Sequence, residues 1–149
     1  MAMTTKTARW QDALERKVRA FYKSLNQHKV AACFQMIDPQ VRDVPGSVTL
    51  YQYGQALHEF VDRFGPLKVR AIHLTLHLDE PNQLYQGRDF AIGKTTWLDA
   101  AGNRYVFLER WVRQDRSWYT RSTGFVTPVP ASSVSSANEV ASQHQGSES

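Results

Sequence analysis

The sequence TTWLDAAGNRYVFLERWVRQDRSWYTR, residues 95–121, decides the fold. Apolar and polar side chains alternate through most of it, which is the period of a half-buried β-strand. Polar segments interrupt the alternation at 99–103, where Gly102 is free to adopt positive φ, and at 114–117. The pattern predicts successive antiparallel strands joined by short turns. The predicted strands here are 84–98, which begins upstream of the quoted stretch, 104–114 and 118–126.

A further strand and three helices are predicted on the N-terminal side. Apolar residues alternate over 70–78, whereas earlier ones recur every three or four residues, as in an amphipathic helix. The predicted helices are 8–27, 28–37 and 47–64, and residues 39–46 are predicted to be irregular or briefly extended. This order predicts an α+β protein, with three N-terminal helices packed on a four-stranded antiparallel sheet that has one additional short strand.

Composition predicts one domain with two unstructured ends. Residues 1–7 are expected to be a flexible N-terminus, 8–127 the folded domain, and 128–149 a disordered Ser-rich tail, because the tail lacks periodic apolar residues. The single cysteine, Cys33, excludes an intrachain disulfide. No stretch resembles a signal peptide or a membrane span. We therefore predict a cytoplasmic protein with no membrane association.

The net charge of +4 could favour acidic partners. The basic residues, however, alternate with acidic ones along the predicted helices and strands, which is typical of a solvated surface. Nucleic-acid binding is therefore not predicted.

The order of elements and the closing hairpin resemble the NTF2-like superfamily, including its SnoaL-like and ketosteroid-isomerase-like branches. The hairpin, Glu109 to Arg121, carries Trp111, a charged turn at Asp115 and then Trp118. The resemblance covers about residues 8–127. It implies a curved sheet wrapped round the first helix, a cystatin/NTF2-like cone with an apolar cavity, and a homodimer formed through the sheet. The fold hosts enzymes and non-catalytic binding modules alike, so the resemblance leaves open whether the chain is an enzyme.

One face of the sheet is predicted to be aromatic and to line the cavity. A three-residue loop closed by Gly102 would place Gly93 opposite Glu109 in the neighbouring strand. Aromatic side chains then share one face with a single carboxylate. These residues are Trp97, Tyr105, Phe107, Glu109 and Trp111.

Glu109 has two interpretations. With a three-residue loop at 115–117, Arg121 shares its face and forms a structural or ligand-orienting ion pair with it; a two-residue loop instead sets Arg110 opposite Arg121, an unfavourable like-charge pair. We favour the first register. Alternatively, Glu109 is an acid or base whose pKa is raised by its apolar surroundings.

Other polar candidates are distributed along the chain. Tyr22, Tyr119 and Arg121 complete the predicted ligand-binding set, and Asp38 and His58 are further candidates for the cavity. His73 and His77 share a strand face but have no third ligand nearby, so neither a metal nor a cofactor is predicted.

Two functions remain open. The first is binding of a small apolar molecule in the cone, or a role as a dimeric interaction module. The alternative is an isomerase, dehydratase or cyclase that uses Glu109 as its acid or base.

Overall fold

The computed structural model describes residues 5–125 and 128–131, which form four helices and five strands. The helices are α1 (Thr5–Asn26), α2 (Val30–Gln35), α3 (Pro39–Arg42) and α4 (Leu50–Phe64). The strands are β1 (Lys68–His77), β2 (Phe90–Leu98), β3 (Arg104–Gln114), β4 (Ser117–Thr120) and β5 (Val129–Pro130). The helices pack against a curved antiparallel sheet, which confirms the predicted α+β class.

The sheet has the order β1-β2-β3-β4, and β5 pairs with the first part of β3. The predicted register of β2 and β3 is confirmed, since Gly93 lies opposite Glu109. The turn forms because Gly102 has a φ of +88° and the Asp99 carboxylate accepts hydrogen bonds from the backbone N–H groups of Ala101 and Asn103, at 3.0 and 2.8 Å.

The two long helices are amphipathic and bury one stripe each. On α1, five buried residues recur at helical spacing; they are Leu14, Val18, Phe21, Tyr22 and Leu25. A capping box begins α4, in which the Thr49 hydroxyl accepts from the Gln52 N–H and the Gln52 side chain accepts from the Thr49 N–H. The helix therefore begins after Thr49 rather than at the predicted Ser47.

The connections differ from the predicted ones. Residues 39–46, predicted to be irregular or extended, contain the single turn α3, which starts at Pro39 behind the N-cap Asp38. The second strand starts at Phe90 instead of residue 84, because the Asn82 side chain organises the preceding segment as a turn through bonds to Tyr85 and Arg88. The pairing of β1 with β2 has a register shift between Val69 and Ala71.

The ends of the domain also differ from the predicted ones in the described part. Helix α1 already includes residues 5–7, and the fourth strand ends at Thr120 rather than at 126. Two residues of the predicted tail form β5 opposite Tyr105 and Val106. The short strand of the sheet is thus β5 and not the segment 39–46, which was predicted to be extended; residues 1–4, 126–127 and 132–149 lie outside the described residues.

The favoured register of β3 and β4 was wrong. Asp115 and Arg116 form a two-residue turn with φ values of 50° and 72°, so that Gln114 pairs with Ser117. Trp111 consequently lies opposite Thr120, and the Arg121 N–H donates to the carbonyl of Arg110. Arg121 thus belongs to the face opposite that of Glu109.

The inner face of the sheet, which packs against the helices, carries the buried aromatic residues. Trp97 and Trp111 are fully buried there, whereas Ile92 and Leu108 on the outer face are 41% and 69% exposed. The aromatic face is therefore the concave one, as predicted. Within the described residues, no helix has the length and apolar character required to cross a membrane.

Candidate functional site

The centre of the site is Glu109, a carboxyl group buried on the inner face of β3. Its neighbours along this face are Phe107 and Trp111, and only 5% of the residue is exposed. No salt bridge among the described residues involves Glu109, so the predicted ion pair with Arg121 does not form. The site therefore holds a carboxyl group without a cationic partner.

Two side chains donate hydrogen bonds to the Glu109 carboxylate. The Tyr22 hydroxyl, from the buried stripe of α1, donates to Oε2, and the Trp111 indole N–H donates to Oε1 over 2.8 Å. The Thr95 hydroxyl lies beside both Glu109 and Tyr22 and has no hydrogen-bond partner of its own. A carboxylate can accept about four hydrogen bonds, so part of its accepting capacity is unused.

Burial dominates the proton affinity of this group. Desolvation raises the pKa of Glu109 above its ordinary value, and the bonds from Tyr22 and Trp111 only partly offset that effect. Burial and the adjacent Glu109 charge also raise the pKa of Tyr22 well above its ordinary value. Tyr22 therefore keeps its proton and acts as a donor, while Glu109 is the group that can change protonation state.

A small cavity lies beside Glu109. Its volume is about 10 Å³, which is room for one water molecule. The lining is mainly aromatic, with a few hydroxyl groups; it consists of Phe21, Tyr53, Phe107, Glu109, Thr120, Ser122, Gly124 and Phe125. Pockets for drug-sized ligands usually measure about 300–1,000 Å³, so this cavity must widen to accept an organic molecule.

Arg121 belongs to a separate, structural cluster around Asp38. The Asp38 carboxylate has no exposed side-chain surface and receives a two-bond contact from Arg88, with both distances 3.0 Å, and one from Arg121 at 2.6 Å. Burial alone would raise the pKa of Asp38, but the bonds from the two arginines outweigh it and hold the pKa below the usual value. This cluster joins the start of α3 to the segment that follows β4.

The remaining predicted site residues lie outside the cavity. Trp97 and Tyr105 are on the inner face but pack with Phe60 and Phe64 in a ring cluster. Tyr119 lies opposite Val112 on the outer face, because the two-residue turn shifts the whole of β4.

The histidines are also away from Glu109. His58 is exposed on α4 with its Nδ1 2.7 Å from Nδ1 of His28. His73 is exposed, and His77 stacks on Phe90 and contacts Glu80. In the described part of the chain, no three His, Cys, Asp or Glu side chains form a group that could hold a metal ion.

Sequence reasoning missed several cavity residues. Tyr53 lies four residues before Leu57 on the buried stripe of α4, so the helical period could have identified it. Thr120 could have been identified from the correct turn length, since the two-residue turn places it opposite Trp111 on the inner face. Phe125 was assigned to a strand, and no local pattern shows that its ring lines the cavity.

The fold and the site together define a class: an α+β protein whose sheet and helices enclose a buried carboxyl group beside a small aromatic cavity. No protein-family model matches the chain, and no curated protein matches it. A solved structure from Novosphingobium aromaticivorans, named "Putative Scytalone Dehydratase", has a TM-score of 0.38 and 10% sequence identity, covering 86% of this chain and 96% of that chain. A likeness at that TM-score carries no argument about activity.

Proposed function

We propose that this chain is an NTF2-like domain whose cone binds a small, mostly apolar molecule, with Glu109 as the polar group that recognises it. The observation that supports this most directly is the position of Glu109 at the cavity, buried and without a cationic partner. A buried carboxyl group that is not paired costs folding free energy. Such groups occur preferentially at functional sites.

The surroundings of Glu109 define the kind of ligand. Phe21, Tyr53 and Phe107 offer apolar ring surface, and the carboxyl group offers one hydrogen-bonding centre. Tyr22 and Trp111 already occupy one position on each carboxylate oxygen and fix its orientation. A ligand with an apolar body and one hydroxyl or N–H group that donates to the carboxylate satisfies both parts of this site.

Binding through Glu109 is tested with a panel of small phenols and anilines, which donate to a carboxylate, observed by ligand-detected NMR. We expect members of the panel to bind the wild-type protein and to bind Glu109→Gln about fivefold more weakly, because a charge-assisted hydrogen bond is replaced by a neutral one. Glu59→Gln, on the exposed side of α4, is the matched control and should bind as the wild type does. The proposal fails if no member binds, or if the two variants bind equally well.

A second candidate function is acid–base catalysis by Glu109. It is favoured by one observation, the raised pKa of a carboxyl group that reaches the cavity, since a proton-transfer group works best when its pKa approaches the working pH. Tyr22 would hold the carboxylate in place and donate a hydrogen bond to it. The substrates would be small apolar molecules that lose or move a proton, as in isomerisation or dehydration.

Proton transfer is tested without the natural substrate, by the exchange of α-hydrogens of cyclohexanone in heavy water. We expect the wild-type protein to accelerate exchange and Glu109→Gln not to do so, with Glu59→Gln behaving as the wild type. Exchange that is equally fast with all three proteins would exclude this catalytic role while leaving the binding proposal intact.

A further inference from the structure

The ring of Phe125 lines the cavity and packs against two other aromatic rings. The chain leaves β4 at Thr120, and Ser122, Gly124 and Phe125 then contribute to the cavity lining. The Phe125 ring lies nearly parallel to that of Phe60, with 5.1 Å between centroids and an angle of 24°. It also lies 5.3 Å from the Tyr53 ring. The Phe125 ring thus occupies a space between aromatic rings, next to the cavity that Glu109 also lines.

The segment that carries Phe125 is anchored at both ends, by Arg121 before it and by the pairing of β5 with β3 after it, and is weakly held between them. Arg121 is fixed by its bond to the Arg110 carbonyl and by its contact with Asp38. After it, within the residues that the structure describes, no backbone–backbone hydrogen bond involves Ser122 to Phe125. An added Cβ at Gly124 would meet no atom within 4 Å, so packing around that residue is open. Apart from the hydrogen bond that the Ser122 N–H donates to the Thr120 hydroxyl, the ring contacts of Phe125 are the main described restraint between these anchors, and weakly bonded segments of this kind open at low free-energy cost.

The size of the cavity shows what opening the segment would provide. At about 10 Å³ the space beside Glu109 holds a water molecule and nothing larger. A cavity of roughly 150 Å³, the volume that a removed core side chain can leave, accepts a benzene ring. Withdrawal of the Phe125 ring would supply a space of that order between Phe60 and Tyr53, continuous with the Glu109 carboxyl group.

We propose that Phe125 is an internal plug, and that the ligand is a monocyclic aromatic compound with one hydrogen-bonding substituent. The ring of the ligand takes the place of the Phe125 ring against Phe60 and Tyr53, and its substituent reaches Glu109. This inference rests on the proposed binding function and adds to it the chemical class of the ligand. It also means that the ligand competes with a side chain of the protein, so the wild-type affinity is lowered by the free energy needed to move the plug.

The test uses Phe125→Ala in the full chain, with phenol as the probe, titrated by calorimetry. We expect Phe125→Ala to bind phenol about tenfold more tightly than the wild-type protein, because the space is already open. Toluene has a similar size but no hydroxyl group to reach Glu109, so Phe125→Ala should increase the affinity for toluene less than the affinity for phenol. Phe90→Ala is the matched control, since the Phe90 ring stacks on His77 on the outer face and its removal leaves the cavity unchanged.

The outcomes separate this inference from the function on which it rests. If a folded Phe125→Ala binds phenol as the wild type does, and the wild type binds through Glu109, then Phe125 is not a plug but the binding site stands. Absence of binding by both proteins, to phenol and to the wider panel, would contradict the binding function itself.

Folding is checked by the near-ultraviolet circular dichroism of the four tryptophans. If Phe125→Ala does not fold, Phe125→Leu, which keeps apolar bulk without a ring, should show a smaller gain in phenol affinity; no gain would overturn the inference.

Discussion

Asp38→Asn is expected to lower the free energy of unfolding by about 3 kcal/mol, because it leaves two partly buried arginines without their counter-ion. The Asp38 side chain has no exposed surface, and it accepts bonds from Arg88, Arg121 and the backbone N–H of Gln40. An amide oxygen carries no charge, and the amide N–H groups would point at guanidinium donors. Urea unfolding followed by circular dichroism measures the change.

The control for this experiment is Asp43→Asn, which makes the same chemical change in an exposed pair. Asp43 also receives two bonds from one arginine, Arg42, at 2.9 and 3.1 Å, but 61% of its side chain is exposed. Water replaces the lost contact there, so its unfolding curve should stay close to that of the wild type. A loss at Asp38 no larger than that at Asp43 would show that the cluster does not stabilise the junction between α3 and β4.

The two hairpins show how far turn chemistry predicts register. Gly102 and the Asp99 carboxylate encode the first turn directly, so the pairing of β2 with β3 could be derived from sequence. The second turn has Asp115 and Arg116 at positive φ, where glycine is the usual signal, and the two-residue alternative was rejected because it sets Arg110 opposite Arg121. That repulsion is relieved because the Arg121 side chain turns to Asp38.

The Asp38 cluster could not be derived from any local pattern. Asp38 caps α3, but its main partner, Arg88, comes from a segment that was assigned to the strand 84–98. Such contacts depend on which segments the completed fold brings together. The pattern of apolar residues specifies a face, and it does not specify which distant charge approaches that face.

The candidate site was only partly predictable, because periodicity predicts the face on which a residue lies but not its contacts with distant segments. Alternation along β3 placed Glu109 between Phe107 and Trp111 on the inner face, and the structure has it there. Tyr22 was named as a candidate, but its bond to Glu109 joins residues 87 positions apart and follows from how α1 lies across the sheet. The narrowness of the cavity depends on the position of Phe125, which is a result of packing and not of periodicity.

Glu109→Gln is expected to be more stable than the wild-type protein at neutral and mildly alkaline pH, by about 1–3 kcal/mol. Burial raises the pKa of Glu109 in the folded protein above that in the unfolded chain, where it is about 4.3. Between these two values the folded protein keeps a proton that the unfolded chain has lost, so the free energy of unfolding decreases as the pH rises.

The difference in the free energy of unfolding between the wild type and Glu109→Gln reports the titration of Glu109 alone. Below the unfolded pKa, Glu109 is protonated in both states, so the two proteins should have similar stabilities there. The advantage of Glu109→Gln should grow as the pH rises through the folded pKa of Glu109 and then become constant. Asp38 has a lowered pKa and acts in the opposite direction, but it is present in both proteins and cancels.

Urea unfolding between about pH 4 and pH 9 measures the effect, with Glu59→Gln as the exposed control. The free energy of unfolding of Glu59→Gln should vary with pH as that of the wild type does, because Glu59 is in water whether the chain is folded or not. Parallel curves for Glu109→Gln as well would mean that folding does not change the proton affinity of Glu109. The carboxyl group would then lack the raised pKa on which acid–base catalysis at this site depends, while its role as a hydrogen-bonding group for an apolar ligand would still be open to the binding test.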